Sequence, residues 1–437
     1  MTKMTFAFAS TVAAAFAAAT SAQAADWPQY RGPNHDGSTA EKIAAKWPAG
    51  GPKALWKVPT VDGFSSFAVA GGKAFTIVGR ELDGGAQEVC VALSADTGKE
   101  LWAVPVATMR YIKRDNFGGT GQAGAPGNQG GDGPRSTPSV DGGFVYVLGS
   151  QLRLTCIEAA SGKVAWSKDL MAEHGGKTPT WDNAASPVVD GDLVYAAGGG
   201  AGQALLAFNK RTGAVAWKSQ TEDITHSTPV VATILGQRQV IFFCKSGLVA
   251  VDAKSGGLLW KQQFDWAVST AMTPIVAGEI VYCSAGYGTG AGAYRIAKEG
   301  SAFSSTQLWR KKANDSVMNH WSTPVLKDGH LYGIFGFKKY GTAPLSCVEL
   351  MTGDVKWAQP GFGPGNVILA GGQILALSDT GEVVLAEATT AGYKELGRAK
   401  AVEGKCWSTP VVSNGRVYVR STKEAACLDV SAKSAQR

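Results

Sequence analysis

"SADTGKELW" (residues 94–102) is the stretch that decides the fold, because the chain repeats it with small changes. In every copy a glycine stands four residues before a tryptophan. The glycine suits a turn that residues with a Cβ resist, and the tryptophan offers a large apolar face. We expect each tryptophan to pack against a neighbouring repeat and to serve the scaffold. The other copies are "EAASGKVAW" (158–166), "NKRTGAVAW" (209–217), "DAKSGGLLW" (252–260) and "ELMTGDVKW" (349–357).

A second phrase precedes each glycine–tryptophan frame. It consists of a serine or threonine, a proline, an apolar run, an Asp-Gly-type turn and another apolar run, as in "STPSVDGGFVYVLG" (136–149). This pattern indicates a β-hairpin, and two further strands follow it, the last one carrying the tryptophan. The repeat length varies from 43 residues (Trp217 to Trp260) to 64 residues (Trp102 to Trp166). Four short strands at this spacing are typical of β-propeller blades.

The two ends of the chain each carry an incomplete blade. Residues 408–430 supply three strands without a fourth, and "PKALWKVPT" (52–60) supplies a tryptophan-bearing fourth strand without partners. Pairing them closes the ring and removes an exposed edge. The sequence therefore predicts an all-β, eight-bladed propeller with four-stranded antiparallel blades. Seven blades is the alternative if the weak unit 366–396, with Leu396 near the tryptophan position, forms no full blade.

We predict four regions along the chain: a signal peptide (1–24), an N-terminal arm (25–51), the propeller (52–430) and a short tail (431–437). The signal-peptide prediction rests on Lys3, an alanine-rich apolar stretch and the small-residue site "SAQA" (21–24). That stretch is too short and alanine-rich for a membrane span. No cysteine stands at the cleavage point. We therefore expect no transmembrane segment, no lipid anchor, and a periplasmic or secreted location.

Several classes of function are disfavoured by the sequence. The net charge of +7 is modest, and no basic run interleaves with aromatic residues, which disfavours nucleic-acid binding. The glycine-rich insert 117–134 lacks the frame of a phosphate-binding loop and is interpreted as a surface or lid loop. The seven cysteines lie in apolar strand-like runs, so we expect buried free thiols. Serines are plentiful, but no G-x-S-x-G nucleophile elbow is present.

The repeat phrase A-x-D-x-x-[TS]-G-x-x-x-W resembles that of the pyrroloquinoline-quinone-type (PQQ-type) propellers over residues 52–430. This superfamily holds quinoprotein alcohol dehydrogenases and non-enzymatic assembly factors of the outer-membrane β-barrel machinery. The resemblance implies the fold and leaves the activity open. The dehydrogenases use PQQ, a Ca²⁺ held by oxygen ligands, an Asp base and often a vicinal disulfide. This chain has no adjacent cysteine pair and no C-x-x-C-H haem-attachment motif.

Residues just before the Ser/Thr-Pro phrases are expected to line the central channel, because a propeller's first strand is the innermost. Trp181 and Asp182 stand next to one of them, and Asn319 and His320 stand next to another. Two aromatic faces with basic side chains could hold a planar anionic ligand such as PQQ. A polar, wet mouth filled by two tryptophans is the alternative. The candidate residues are Arg135, Asn183, His226, Trp321, Lys405 and Trp407.

Three hypotheses of function follow from these patterns. The first is an exported, non-catalytic propeller that serves as a binding or scaffolding platform in the cell envelope, with an envelope protein partner and no firmly indicated cofactor, metal ligand or catalytic residue. The alternative is a small PQQ-dependent alcohol or sugar dehydrogenase that uses the channel mouth, with PQQ and Ca²⁺. The third is a carbohydrate- or cell-wall-binding module.

Overall fold

The computed structural model describes residues 26–61, 63–109, 133–312, 316–336 and 343–432. The predicted signal peptide lies outside the described residues, as do all but the last two residues of the insert 117–134. The described part is nearly all β, with one short helix, α1 (Leu170–His174). In these ranges no helix is both long enough and apolar enough to cross a membrane.

The strands form eight antiparallel four-stranded sheets, which are the blades of a propeller. Strands β1 (Ser38–Thr39) and β2 (Lys53–Pro59) precede blade 1. From the inner to the outer strand, blades 1 to 4 are β3–β6 (Ala68–Ala70, Lys73–Leu82, Gly85–Ser94, Glu100–Thr108), β7–β10 (Ser139–Asp141, Phe144–Leu148, Arg153–Glu158, Val164–Asp169), β11–β14 (Val188–Asp190, Leu193–Ala197, Leu205–Asn209, Val215–Ser219) and β15–β18 (Val230–Ile234, Gln237–Cys244, Gly247–Asp252, Leu258–Gln263).

Blades 5 to 8 continue the same pattern, and the inner strands of neighbouring blades contact one another around the axis. In the same inner-to-outer order they are β19–β22 (Ile275–Ala277, Ile280–Ala285, Gly290–Glu299, Ala302–Lys311), β23–β26 (Val325–Lys327, His330–Ile334, Leu345–Glu349, Val355–Gln359), β27–β30 (Asn366–Ala370, Gln373–Leu377, Glu382–Glu387, Glu395–Lys400) and β31–β33 (Val411–Ser413, Arg416–Arg420, Glu424–Asp429) completed by β2. Eight blades are confirmed, and the seven-bladed alternative is excluded.

The closing blade is assembled from both ends of the chain, as the two half-blades predicted. Strand β2 pairs antiparallel with β33 in a register that runs from Lys53 opposite Asp429 to Pro59 opposite Glu424. The weak unit 366–396 forms blade 7, which lacks the usual tryptophan. At that blade Trp47 of the N-terminal arm packs on Gly397. All seven cysteines are buried and free, which confirms that prediction.

The glycine–tryptophan frame joins neighbouring blades at five of the eight blade junctions of the described structure. Gly256 of blade 4 has a φ of +73°, and a Cβ there would stand 2.6 Å from the indole of Trp217 in blade 3. The same indole donates its Nε1–H to the carbonyl of Ala253, three residues before the glycine, at 3.0 Å. The glycine therefore provides both the left-handed turn and the space for the ring. Equivalent pairs are Trp56 with Gly98, Trp102 with Gly162, Trp166 with Gly213 and Trp309 with Gly353.

The Ser/Thr-Pro phrase fastens the blades at their inner ends. The backbone N–H of one blade donates to the hydroxyl of the next blade's serine or threonine, which shields both groups in a buried setting. We call these residues the hydroxyl belt. Its hydrogen bonds are Ser66 N–H to Thr137 Oγ1 (3.0 Å), Thr137 N–H to Ser186 Oγ (2.9 Å), Ser186 N–H to Thr228 Oγ1 (2.9 Å) and Thr273 N–H to Thr323 Oγ1 (3.1 Å).

The N-terminal arm lies across the inner strands of several blades. It begins at blade 1, where Trp27 and Val69 exchange two backbone hydrogen bonds of 2.8 Å. It then reaches blade 2, where the carbonyl of Pro28 accepts the N–H of Val140 at 2.7 Å. Across the axis, β1 adds a parallel fifth strand to β27 of blade 7. The arm thus spans one end of the central channel.

Buried polar side chains hold the middle of this arm. The Arg31 guanidinium donates to the carbonyls of Thr323 (3.1 Å) and Pro324 (2.9 Å) in blade 6. His35 lies 3.1 Å from the amide of Gln29 and is 8% exposed. Burial lowers the pKa of His35 to about 4, and the nearby Asp190 carboxylate only partly opposes that effect. His35 is therefore an uncharged, buried part of the arm at neutral pH.

Substituting Gly256 by alanine should destabilise the protein more than the same change at Gly191. Both glycines have positive φ, so each substitution costs about 1–2 kcal/mol of backbone strain. A Cβ at Gly191 (φ +57°) meets open space, whereas one at Gly256 overlaps the Trp217 ring. Overpacking adds about 1–3 kcal/mol. Guanidinium unfolding of Gly256→Ala and Gly191→Ala measures the difference, and equal losses would contradict the proposed fit.

The free energy of unfolding should fall as pH decreases from 6.5 to 4. The pKa of His35 is about 4 in the folded chain and about 6.5 in the unfolded chain, so protons bind preferentially to the unfolded state in this window. His35 contributes about 1.4 kcal/mol per pH unit to this loss, or about 3 kcal/mol over the window. The pKa of His226 is also lowered to about 4 by burial, so His226 adds a similar loss. His35→Gln should therefore reduce the slope without abolishing it, and any strain at its left-handed backbone would lower the stability equally at all pH values. His330→Gln, at a surface hydrogen bond, is the control; an unchanged slope in His35→Gln would contradict the assignment.

Candidate ligand-binding cavity

The central channel contains a cavity at the end opposite the arm. Its empty space, which includes open solvent at the mouth, is about 950 Å³. Tyr30 of the arm reaches the cavity from the closed side. Members of the hydroxyl belt form the lower wall, and residues that precede the inner strands form the upper wall.

The upper wall is a continuous series of aromatic side chains, which we call the aromatic arc. It crosses from blade 1 through blades 8, 6 and 5 to the loops before blades 3 and 4. Trp321 and Trp407 are in direct contact, with ring centroids 4.4 Å apart. The successive centroid distances are Phe64–Trp407 4.9 Å, Trp407–Trp321 4.4 Å, Trp321–His320 4.7 Å, His320–Tyr287 5.1 Å, Tyr287–Trp181 6.5 Å and Trp181–His226 6.3 Å.

Two members of the aromatic arc are held in left-handed backbone conformations. Trp181 has a φ of +68° and Tyr287 a φ of +58°, and Asp182 beside the tryptophan has a φ of +63°. Such a conformation costs a residue with a Cβ about 1–2 kcal/mol. Arg135 donates to the carbonyl of Trp181 at 2.8 Å, which supports the turn. Strained residues of this kind cluster at functional sites, where the fold tolerates the cost.

His226 is an uncharged part of the cavity wall. Its Nε2–H donates to the carbonyl of Thr180 at 2.6 Å, and its Nδ1 accepts the hydroxyl of Ser269 at 3.0 Å. Burial, followed by the positive charge of Arg135, lowers the pKa of His226 to about 4. The Ser269–His226 pair has the spacing of a nucleophile and its base. A base with so low a pKa is poorly matched to proton transfer near neutral pH, so the pair fits a positioning role.

Four of the six candidate residues line the cavity together: Arg135, His226, Trp321 and Trp407. Asn183 lies behind the wall. Its amide donates to the carbonyls of Gly149 (3.3 Å) and Ala185 (3.0 Å) and accepts the N–H of Ala185 (3.0 Å), so it holds the loop before blade 3.

Lys405 also lies outside the lining. It is fully buried, with its Nζ 4.8 Å from the ring centroid of Trp407 and 5.7 Å from that of Phe64. A cation at such distances is attracted to the faces of aromatic rings. Its positive charge therefore stands directly behind the aromatic arc.

Three aromatic residues of the lining were not predicted from the sequence. Tyr287 stands in the turn between β20 and β21, outside both repeated phrases, and no sequence signal marks it. Phe64 precedes the inner strand of blade 1, where the phrase reads Ser66-Phe67 in place of Ser/Thr-Pro. Aligning that variant phrase with the others would have found Phe64. Tyr30 comes from "DWPQYRGPNHDG" (26–37), a segment to which the sequence assigned no role.

The described lining does not suit a quinone that is held through Ca²⁺. Ca²⁺ takes six to eight oxygen ligands, carboxylates prominent among them. Among the described lining residues there is no Asp and no Glu, and the oxygen donors are hydroxyls and the amide of Asn366. The amide nitrogen of Asn366 donates to the carbonyl of Trp407 at 2.7 Å. Throughout the described ranges, no three His, Cys, Asp or Glu residues are grouped to hold a metal ion.

Comparisons with known structures agree on the fold and extend over most of the chain. A quinohemoprotein alcohol dehydrogenase from Pseudomonas putida HK5 (ADHIIG) aligns with a TM-score of 0.64 at 14% identity, covering 93% of this chain and 80% of that one. Quinohemoprotein alcohol dehydrogenase from Comamonas testosteroni aligns with a TM-score of 0.62 at 13% identity, and the alignment covers 93% of this chain and 80% of that one. BamB from Moraxella catarrhalis aligns with a TM-score of 0.58 at 13% identity, and the alignment covers 86% of this chain and 99% of that one. At these identities the likeness concerns the fold alone.

Sequence comparison adds a partial relative and a family. Quinohemoprotein alcohol dehydrogenase ADH IIB from Pseudomonas putida is 31% identical over 139 residues, which covers 30% of this chain and only 20% of that protein. This chain therefore matches about a fifth of the length of the enzyme. Residues 85–359, more than half of the chain, match the family described as outer membrane protein assembly factor BamB. The chain belongs to this family of PQQ-type β-propellers.

Proposed function

We propose that this protein is an exported, non-catalytic propeller that acts as a binding platform in the cell envelope. The observation that carries the proposal is the cavity. Tyr30 of the protein's own arm reaches the cavity, and the described lining is aromatic and free of carboxylates. Such a lining offers contact area and hydrogen bonds but no carboxylate for acid–base work or metal binding. It therefore supports binding better than it supports catalysis.

The rim of the mouth supports a protein partner. Trp266 and Val268 are each 38% exposed and directly precede Ser269 of the lining, while Val61 is 52% exposed and shortly precedes Phe64. Lys245 lies over the Trp266 ring at 4.8 Å. Exposed apolar and aromatic groups beside a cavity, with a polar surround, are typical of protein-interaction surfaces. We define the mouth rim as these three apolar residues.

The family match supports the proposal that the platform works in the cell envelope. One solved relative is named BamB, and the family's description names outer membrane protein assembly. We transfer to this chain only the coarse proposal that its partner is an envelope protein. The export that this setting requires rests on the expected signal peptide, residues 1–24.

The alternative is a small PQQ-dependent dehydrogenase. The stretch that is 31% identical to a quinohemoprotein alcohol dehydrogenase favours it. The donor set of the cavity speaks against it, because carboxylate ligands for Ca²⁺ and an Asp base are absent from the described lining. We therefore place the platform ahead of the enzyme.

A photo-crosslinking amino acid at position 266 should capture an envelope protein in the native host. Position 266 lies at the mouth rim, where the partner is proposed to bind. Position 215 is the matched control, because Val215 is 43% exposed but lies on the outer strand of blade 3. We expect a discrete, light-dependent adduct in the envelope fraction from position 266 and none from position 215. Equal adducts at both positions, or none at 266, would count against the platform.

Supplying PQQ and Ca²⁺ should produce no alcohol oxidation. Purified protein would be incubated with both and assayed by dye reduction with a series of primary alcohols and sugars. We expect rates equal to the protein-free blank. We also expect no Ca²⁺-dependent rise in the unfolding midpoint, whereas saturation at 100 times the Kd would add about 2.7 kcal/mol of stability. Dye reduction that depends on substrate, PQQ and Ca²⁺ together would favour the enzyme instead.

A further inference from the structure

We propose that the protein has a second binding site, for a neutral sugar, between the N-terminal arm and blades 2 to 4. A polar cavity lies there, which we call the arm cavity, and it shares no lining residue with the aromatic cavity described above. The site is therefore separate from the mouth rim and does not depend on the proposed platform. The polar residues that line the arm cavity are Gln29, Asn34, His35, Asp141, Asp190 and Arg238.

His35 carries a buried N–H group without a protein partner. The Gln29 amide oxygen accepts the backbone N–H of Val189 at 3.5 Å, so the amide nitrogen faces His35 Nε2, at 3.1 Å. An amide nitrogen only donates, and Nε2 of the neutral ring must therefore accept. The ring proton then stands on Nδ1, for which the described residues supply no acceptor. His35 is 8% exposed and lines the arm cavity, so an oxygen of a ligand there would satisfy a costly buried donor.

The backbone of the arm supports a role for the His35 side chain. Its φ is +60°, a left-handed conformation that a residue with a Cβ resists. Glycine adopts that conformation at lower cost, as Gly32 and Gly37 do in the same segment. Strained residues with side chains cluster at functional sites. The imidazole, rather than the turn, is therefore the feature that needs explaining at this position.

Two aspartates supply hydrogen-bond acceptors from the blades. Asp141 is the last residue of β7 and Asp190 the last residue of β11, so they hold equivalent positions in neighbouring blades. Lys210 donates to Oδ2 of Asp141, and Oδ1 has no partner among the described residues. Arg238 donates to both oxygens of Asp190, at 2.6 and 3.0 Å. Each carboxylate is thereby fixed in position and keeps lone pairs that can accept a hydroxyl group.

The balance of charge in the arm cavity favours a neutral ligand with several hydroxyl groups. Asp141 forms an ion pair with Lys210, and Asp190 forms one with Arg238, so a charged ligand would have to compete with a pair already made. The exposed Asn34 adds one amide donor and one amide acceptor at the edge of the cavity. A hydroxyl group both donates and accepts, so a polyol matches this mixture of groups better than an ion does.

The remaining lining suits the C–H faces of a sugar ring. Two prolines from the arm and three valines from the blades stand beside the polar groups: Pro28, Pro33, Val140, Val189 and Val231. A pyranose presents hydroxyl groups at its edge and C–H groups on its faces, so it can meet both kinds of residue at once. No Trp, Tyr or Phe is among the described lining residues. Because no such ring is present to stack on the sugar, we expect a Kd in the millimolar range.

Saturation-transfer NMR titration of the whole protein with the methyl glycosides of glucose, galactose and mannose tests the proposal. We expect at least one of the three to saturate with a Kd below about 10 mM. The uronate and the 2-amino-2-deoxy form of that sugar keep the ring and add one charge, and each should bind at least about fivefold more weakly. No saturation by any of the three at about 50 mM would mean that the cavity holds only water and would overturn the proposal. Equal or tighter binding of either charged form would also overturn it.

Two variants locate the site. Asn34→Ala removes an amide from the arm, and Asp190→Asn removes a carboxylate from blade 3; each should raise the Kd of the tightest sugar at least about fivefold. Asp96→Asn is the matched control, because Asp96 forms the same kind of ion pair with Arg416, at 2.6 Å, and does not line the arm cavity. This control should bind like wild type.

Wild-type affinity in both cavity variants would place the sugar elsewhere and overturn the proposal. Asn34 is exposed and its side chain makes no described hydrogen bond, so Asn34→Ala keeps the test valid even if Asp190→Asn fails to fold. The position-266 adduct tests the platform separately, because residue 266 is not part of the arm cavity.

Discussion

The contact between an outer-strand tryptophan and a glycine of the next blade, found at five blade junctions of the described structure, is the interaction on which the rest of the structure depends. Such a tryptophan contacts an aromatic residue of its own sheet, as Trp217 contacts Tyr195 with ring centroids 6.0 Å apart, and its other partner comes from the next blade. The left-handed glycine leaves the space, and the carbonyl three residues earlier accepts the indole N–H, as with Trp217, Gly256 and Ala253. The contact recurs from blade to blade, so it sets the spacing between blades and thereby the width of the channel.

Ring closure extends these contacts around the channel. Because β2 completes blade 8, Trp56 can pack on Gly98 of blade 1 and the series has no loose end. The hydroxyl belt repeats the fastening at the inner ends, where a serine or threonine of one blade accepts the backbone N–H of another. Neighbouring blades are thus fastened to one another near their outer strands and at their inner ends. Loops at one end of the axis can then carry strained residues such as Trp181 without opening the ring.

The fold was predictable because its determinants repeat along the chain, whereas much of the site was not. A glycine four residues before a tryptophan recurs and identifies a blade. Arg135 and Trp321 were predicted to line the cavity because they precede an inner strand. Asn183 also precedes an inner strand, but its side chain binds the backbone of its own loop and does not reach the cavity. Tyr287 and Tyr30 belong to no repeated phrase: one stands in a single hairpin turn, the other in the arm. Where such side chains meet depends on three-dimensional closure, which the repeat does not encode.

The arm makes a ring of similar blades asymmetric along its axis. Eight similar blades would leave a channel open at both ends, and a ligand could then pass through without being held. The arm crosses the inner strands, is held by the buried Arg31 and by β1, and brings Tyr30 to the cavity. With one end occupied, the aromatic arc and the mouth rim share the open end. A partner at the mouth rim would therefore contact loops that adjoin the aromatic arc.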